Sequence, residues 1–144
     1  MSHIRPRTLC LIPARSGSKR VPNKNILDVN GHPLLAYTIS AAVESGVFDS
    51  VVVSTDSENY ANIARHYGAE VPFLRPAEFA EDSSPDIEWV AFTLGWLSSH
   101  ERQFDLFSIL RPTSPFRTAS TIQRAMRQFS LADYADSIRA VELC

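Results

Sequence analysis

Cysteine is almost missing from this 144-residue chain: Cys10 lies in an apolar run and Cys144 is the last residue. Neither a disulfide framework nor a zinc site is suggested, and a reducing setting is expected. No apolar run approaches the roughly 20 residues needed to span a bilayer. The stretch Leu9–Ile12 is too short for a signal peptide and no small-residue cleavage site follows it, so the expected location is cytoplasmic. Lysine is scarce too. Lys19 and Lys24 are the two lysines among 14 cations, set against 16 acids for a formal net charge of −2. That balance argues against nucleic-acid binding, which calls for a broad basic face. Two phosphate-binding signatures are also lacking, since G-x-x-x-x-G-K-[ST] and G-x-G-x-x-G have no match. What remains, at 44% hydrophobic and 21% charged, is ordinary for one globular domain with a real core.

The charge is placed unevenly. The first 27 residues carry six cations (Arg5, Arg7, Arg15, Lys19, Arg20, Lys24) and no carboxylate, whereas residues 25–64 hold five acids and no Lys or Arg. Around this positive window the hydrophobic pattern alternates between two kinds of segment. Thr8–Ile12 and Ser50–Ser54 read as short buried strands, as do Glu70–Leu74 and Phe104–Leu110. Helical spacing runs from Pro33 to a stop at Gly46, then through Tyr60, Ile63, Ala64 and Tyr67 to Gly68. A third helix is expected after Ser84 at the N-cap and Pro85 at the first helical position. Its stripes, Ile87–Val90–Leu94–Leu97 and Trp89–Phe92–Trp96, leave it apolar around much of its circumference. Ile122, Ala125, Met126 and Phe129 mark a fourth helix, with Thr118 as a candidate cap, and Ser137–Val141 starts what reads as another strand. Asn30-Gly31 is a turn signal. Alternating strands and helices imply a parallel sheet covered on both faces, and ligands in such sheets bind beyond the carboxyl ends of the strands.

That rule selects four segments. The first, Ile12-Pro-Ala-Arg-Ser-Gly-Ser-Lys-Arg-Val-Pro-Asn-Lys-Asn25, combines small residues with four cations in ten positions. Backbone N–H groups can approach an anion there, and the cations supply charge to match a polyphosphate. The second, Ser54-Thr-Asp-Ser57, ends a strand; Asp56 serves a ligand hydroxyl or metal, or else Asp or Ser there is the N-cap of the next helix, and the cap is preferred. In the third, Arg75 to Asp82, Arg75 meets either a base carbonyl or phosphate, or its neighbours Glu78 and Glu81; spacing does not separate the two. The fourth, Arg111-Pro-Thr-Ser-Pro-Phe-Arg117, fixes the hydroxyls of Thr113 and Ser114 between two arginines, which suits a sugar or carboxylate. His3, His32, His66 and His100 are scattered without metal-ligand spacing.

These segments together resemble, in order and through nearly the whole chain, the acylneuraminate cytidylyltransferases, which activate sialic and related nonulosonic acids as CMP-sugars. The resemblance implies a three-layer α/β/α Rossmann-like fold with a mostly parallel sheet, of the nucleotide-diphosphosugar transferase type. It assigns Pro13, Ala14, Arg15, Ser18, Lys19, Lys24 and Asn25 to the CTP phosphate and ribose loop. Arg75, Asp82 and Ser84 fall on the segment lining the cytosine, and Arg111, Thr113 and Ser114 on the wall towards the sugar. Arg15 or Lys19 is expected nearest the α-phosphate, as the catalytic cation. In the family the sugar's anomeric hydroxyl attacks the α-phosphorus of CTP, Mg²⁺ assists loss of pyrophosphate, and the enzymes are homodimers. The family commonly carries Gln where this chain has Arg111, which points to a different acidic sugar. It also continues past the position of Cys144, so the Mg²⁺ ligands are expected beyond the end of this chain. Residues 1–144 are therefore read as one C-terminally incomplete nucleotide-binding domain without the metal-binding and dimerisation half. Two alternatives stand beside this reading: a CTP-binding fragment without turnover, and a 3-deoxy-manno-octulosonate cytidylyltransferase.

Overall fold

The computed structural model describes residues 5–17 and 20–141. In chain order the elements are β1 (Thr8–Pro13), β2 (Asp28–Val29), β3 (His32–Pro33), α1 (Leu34–Ser45), β4 (Ser50–Ser54), α2 (Glu58–His66), α3 (Asp86–Ser99), β5 (Leu106–Ile109) and α4 (Ala119–Leu131). Strand β1 is apolar without interruption from Leu9 to Ile12 because it runs through the middle of the sheet, between β4 and β5, and all three are parallel. Its side chains alternate between two cores. Cys10 and Ile12 join Leu35 and Ile39 of α1, Tyr60 and Ala64 of α2 and Ile122 of α4. Leu9 and Leu11 face the opposite way, onto Trp89, Val90 and Leu97 of α3. Leu9, Leu11 and Ile12 are fully buried, and each contributes roughly 2 kcal/mol through lost water contact.

The expected α/β sheet with helices on both faces is thus present, and the turn chemistry explains where its elements stop. Asn30 (φ 51°) and Gly31 (φ 90°) are both left-handed and close the β2–β3 hairpin, which enters α1 directly. Gly46 ends α1 at φ 67°, and the Thr118 hydroxyl caps α4 by accepting the Thr121 N–H at 3.1 Å.

Four expectations need correction. Glu70–Leu74 forms no strand: Glu70 makes a single parallel bridge to Val52, and two residues on Pro72 has no N–H for a ladder. Strand β5 is shorter than Phe104–Leu110, ending before Leu110. Helix α3 starts later than expected, with extended Pro85 (ψ 153°) at its N-cap, while the Ser84 hydroxyl turns away and donates to the Glu78 carbonyl at 3.1 Å. Ser137–Val141 is not a strand. Residues 132–141 carry no helix or strand and are exposed throughout, with Ile138 and Val141 at 49% and 77%. Among the described residues no helix is long and apolar enough to cross a membrane.

Candidate functional site

Beyond the carboxyl ends of β1 and β5 lies a cleft of about 170 Å³, with the end of β4 joined to it through the bonds of Ser54 to Arg75. Pro13, Arg15, Lys24, Asn25, Arg75, Asp82, Ser84, Arg111 and Thr113 line it, so nine of the sequence-assigned residues from three separate segments converge there. Ser18 and Lys19 lie outside the described residues. Ala14 and Ser114 are not on the wall. Ala14 is fully buried with its N–H donated to the Ser54 carbonyl at 2.9 Å, and Ser114 is exposed with its N–H donated to the Arg111 carbonyl.

The floor is built from buried polar contacts. Arg75 is 6% exposed and meets neither Glu78 nor Glu81. Its Nε donates to Ser54 Oγ (2.9 Å), Nη2 to the Ser54 carbonyl (3.0 Å) and Nη1 to the Phe79 carbonyl (3.3 Å). The guanidinium also stacks 4.8 Å above the Trp89 ring. Burial pulls its pKa down to about 10; the charges of Asp56 and Asp86 oppose that and Arg15 adds to it. Arg75 therefore stays charged at neutral pH, locking the β4 end, the Ala77–Phe79 turn and α3 together beneath the cleft. Asn25, also buried, donates its amide to the Arg15 carbonyl at 3.1 Å.

The rim is built from exposed ion pairs. Arg15 pairs with Asp82 and donates to the Gly17 carbonyl at 2.9 Å; both charged side chains keep about a third of their surface in water. Arg111 pairs across the cleft with Asp86, each about half exposed. Asp86 also accepts the Trp89 indole N–H at 3.0 Å. Burial pushes the Asp86 carboxyl up, but the Trp89 and Arg111 hydrogen bonds and the Arg111 and Arg75 charges outweigh it, so the net shift is downward. Lys24 has no ion-pair partner among the described residues. The wall thus holds four cations against Glu81, Asp82 and Asp86. An anion entering here competes with carboxylates for cations that are already aimed inward.

Several participants escaped the sequence reading. Glu81 was read only as a partner for Arg75, while Asp86, Trp89 and Pro112 were not singled out as site residues. The Asp86–Trp89 spacing of three on one helix face was the available signal. Asp56 is not the helix cap, because Ser57 takes that position and its hydroxyl accepts the Tyr60 N–H at 3.2 Å. Both Asp56 oxygens instead bind Ser16, one accepting its N–H (2.8 Å) and the other its hydroxyl (2.9 Å). Arg117 does not line the cleft, and its Nη1 is buried without an acceptor among the described residues.

The described residues contain no group of three or more His, Cys, Asp or Glu that could hold a metal ion. Two of the three carboxylates in the cleft wall, Asp82 and Asp86, are engaged by Arg15 and Arg111. These residues do not by themselves fit a divalent-cation site.

A family model described as cytidylyltransferase matches residues 9–137. The chain is 46% identical over 120 residues to the CMP-N,N'-diacetyllegionaminic acid synthase of Legionella pneumophila, covering 83% of this chain and 52% of that one. It is 44% identical over 126 residues to the N-acylneuraminate cytidylyltransferase of Escherichia coli, covering 88% of this chain and 29% of the relative. The chain therefore spans about half, or less, of the length of these curated relatives. Among solved structures, a CMP:2-keto-3-deoxy-manno-octonic acid synthetase complexed with CTP superimposes with TM-score 0.73 at 19% identity, over 89% of this chain and 49% of that one. A manganese complex from Mycobacterium tuberculosis H37Rv shares the fold at TM-score 0.56 and 16% identity, over 84% of this chain and 58% of that one.

Proposed function

This chain belongs to the acylneuraminate cytidylyltransferase family, and from that premise we propose that its cleft binds CTP for transfer of the cytidylyl group to an acidic nonulosonic sugar. The observation that carries this is the convergence of Arg15, Lys24, Asn25, Arg75, Asp82, Ser84, Arg111 and Thr113 on one strand-end cleft with four cations in its wall. Pro13 to Asn25, with Ala14 in its backbone and Ser18 and Lys19 within it, is the triphosphate side. Arg75, Asp82 and Ser84 are the base side, and Arg111, Thr113 and Ser114 are the sugar side. Arg15, with Lys19, stabilises the negative charge that moves onto pyrophosphate as the anomeric oxygen bonds to the α-phosphorus, the bond from that phosphorus to the bridging oxygen of the β-phosphate breaks, and the hydroxyl proton passes to solvent. Preorganised cations in a partly dry cleft supply such stabilisation at a few kcal/mol per donor.

The sugar class follows the relatives' printed substrates, legionaminic and N-acylneuraminic acids. Arg111 on the sugar side suits the carboxylate of either. Mg²⁺ is the proposed metal, held by residues other than those described, and no step above is routed through it. One nucleotide-binding domain over residues 1–144, a cytoplasmic setting, a homodimeric assembly, and no nucleic-acid or membrane partner complete the proposal. The test is release of pyrophosphate from CTP with N-acetylneuraminic or N,N'-diacetyllegionaminic acid, with and without Mg²⁺. Metal-dependent release with either sugar is expected. CTP binding without pyrophosphate release in the presence of any nonulosonic acid would replace the enzyme reading with that of a nucleotide-binding module.

A further inference from the structure

We propose that Asp56 is a positioning residue for the triphosphate side of the cleft: it fixes the Arg15–Ser16 peptide and so aims Arg15, without touching the nucleotide. The inference rests on the preceding assignment of Pro13 to Asn25 to the phosphates.

One peptide plane carries the case. The Arg15 carbonyl and the Ser16 N–H belong to the same planar unit. Its N–H is held by Asp56 Oδ1 at 2.8 Å, and its carbonyl by the buried Asn25 amide at 3.1 Å. The second Asp56 oxygen takes the Ser16 hydroxyl at 2.9 Å, so the clamp is two-pronged and charge-assisted. With both polar ends pinned, the plane cannot rotate, and the direction in which the Arg15 side chain leaves the backbone is set. The other end of the same loop is held from the same side of the molecule. Tyr60, buried in α2, donates its hydroxyl to Asn23 Oδ1 at 3.0 Å, and Asn23 is the left-handed residue (φ 54°) that opens the turn carrying Lys24 and Asn25. The segment from Asp56 to Tyr60 therefore grips both ends of the cation-bearing loop.

The sign of the charge separates this role from others. Asp56 is not among the cleft-lining residues. A carboxylate beside a polyanion site weakens anion binding through Coulomb repulsion if charge is its whole effect. Its presence is useful to such a ligand only through the geometry it imposes.

The experiment is calorimetric titration of CTP, and separately of cytidine, into the wild-type chain and Asp56→Ala, Asp56→Asn and Asp56→Glu. Asp56→Ala is expected to weaken CTP about tenfold, the loss of a hydrogen bond to a charged group, while cytidine stays within about twofold. Asp56→Asn keeps an oxygen for the Ser16 N–H and recovers most of the CTP affinity. Asp56→Glu keeps the charge but moves the carboxylate out by one methylene; it produces the same CTP-selective loss, and tests the role even if Asp56→Ala does not fold. Equal loss of CTP and cytidine in the variants would overturn the inference, as would tighter CTP binding in both Asp56→Ala and Asp56→Asn, or unchanged CTP affinity in Asp56→Glu. A wild-type chain that binds no CTP would instead overturn the functional assignment beneath it.

Discussion

Arg75 and Arg15 line the same cleft, yet Arg75 is 6% exposed and gives its guanidinium to three acceptors of the fold, whereas Arg15 keeps a third of its side chain in water beside Asp82. The difference separates two functions that the sequence presents as one basic character. A buried guanidinium has lost its water and must keep its protein partners, so its removal is felt by the whole fold. A half-exposed ion pair contributes between nothing and about 1 kcal/mol, so a ligand phosphate can take over the cation at small cost. The floor holds shape, and the rim recognises charge.

The sharpest way to break this comparison is to truncate both arginines. Arg75→Ala is expected to lower stability by about 3 kcal/mol in urea denaturation and to abolish CTP binding, because the Ser54 and Phe79 carbonyls and the Trp89 face lose their partner together. Arg75→Lys restores little of this, since a single ammonium cannot reproduce the three-way fork. Wild-type stability in Arg75→Ala would erase the distinction between floor and rim. Arg15→Ala is expected to do the opposite: CTP affinity falls roughly tenfold, while the unfolding midpoint stays within about 0.5 kcal/mol of wild type. Smaller still is the expected effect of Arg111→Gln, which raises the KM for an acidic sugar about fivefold and leaves CTP affinity within about twofold, as befits one half-exposed cation. A parallel loss of CTP affinity would move Arg111 to the nucleotide side.

The least of these effects is a pH dependence away from the cleft. Asp49 is held below the ordinary carboxylate value first by the Thr8 N–H, against some desolvation, with Arg5 and the Thr8 hydroxyl adding to the depression. The unfolded chain then takes up this proton at a higher pH than the folded one. The contribution is complete above the unfolded value of about 4 and is lost as pH falls through the lower folded value. Asp49→Asn should therefore flatten the decline of the urea midpoint as pH falls below about 4. An unchanged slope removes Asp49 from the acid response.

How far the sequence spoke for itself divides along the same line. Uninterrupted apolar runs located the strands, and Asn30-Gly31, Gly46 and Thr118 located turns and helix ends, because those signals are local. Of the cations at the cleft's edge, Arg15 and Lys24 were legible within a ten-residue cluster, and Arg111 as one of two arginines flanking a proline-fixed Thr-Ser pair. Arg75 was not resolved, since its acceptors are a serine and a carbonyl at the end of β4 and a second carbonyl in the following turn, none of which carries a charge to read. Asp56 was not resolved for a related reason. It stands next to Ser57 at a helix start, where either residue can cap, and the choice is made by Ser16, forty positions away. The expected strand at Glu70–Leu74 failed at Pro72, a local signal that its apolar neighbours overshadowed.

The central claim is that the triphosphate of CTP lies on the Arg15–Lys24 side of this cleft. Calorimetric titration of CTP into the wild-type chain and into Arg15→Glu/Lys24→Glu tests it directly. The account predicts binding to the wild type that weakens at least about a hundredfold in the doubly reversed variant, with little change in unfolding midpoint. Equal CTP affinity in the two proteins would contradict it.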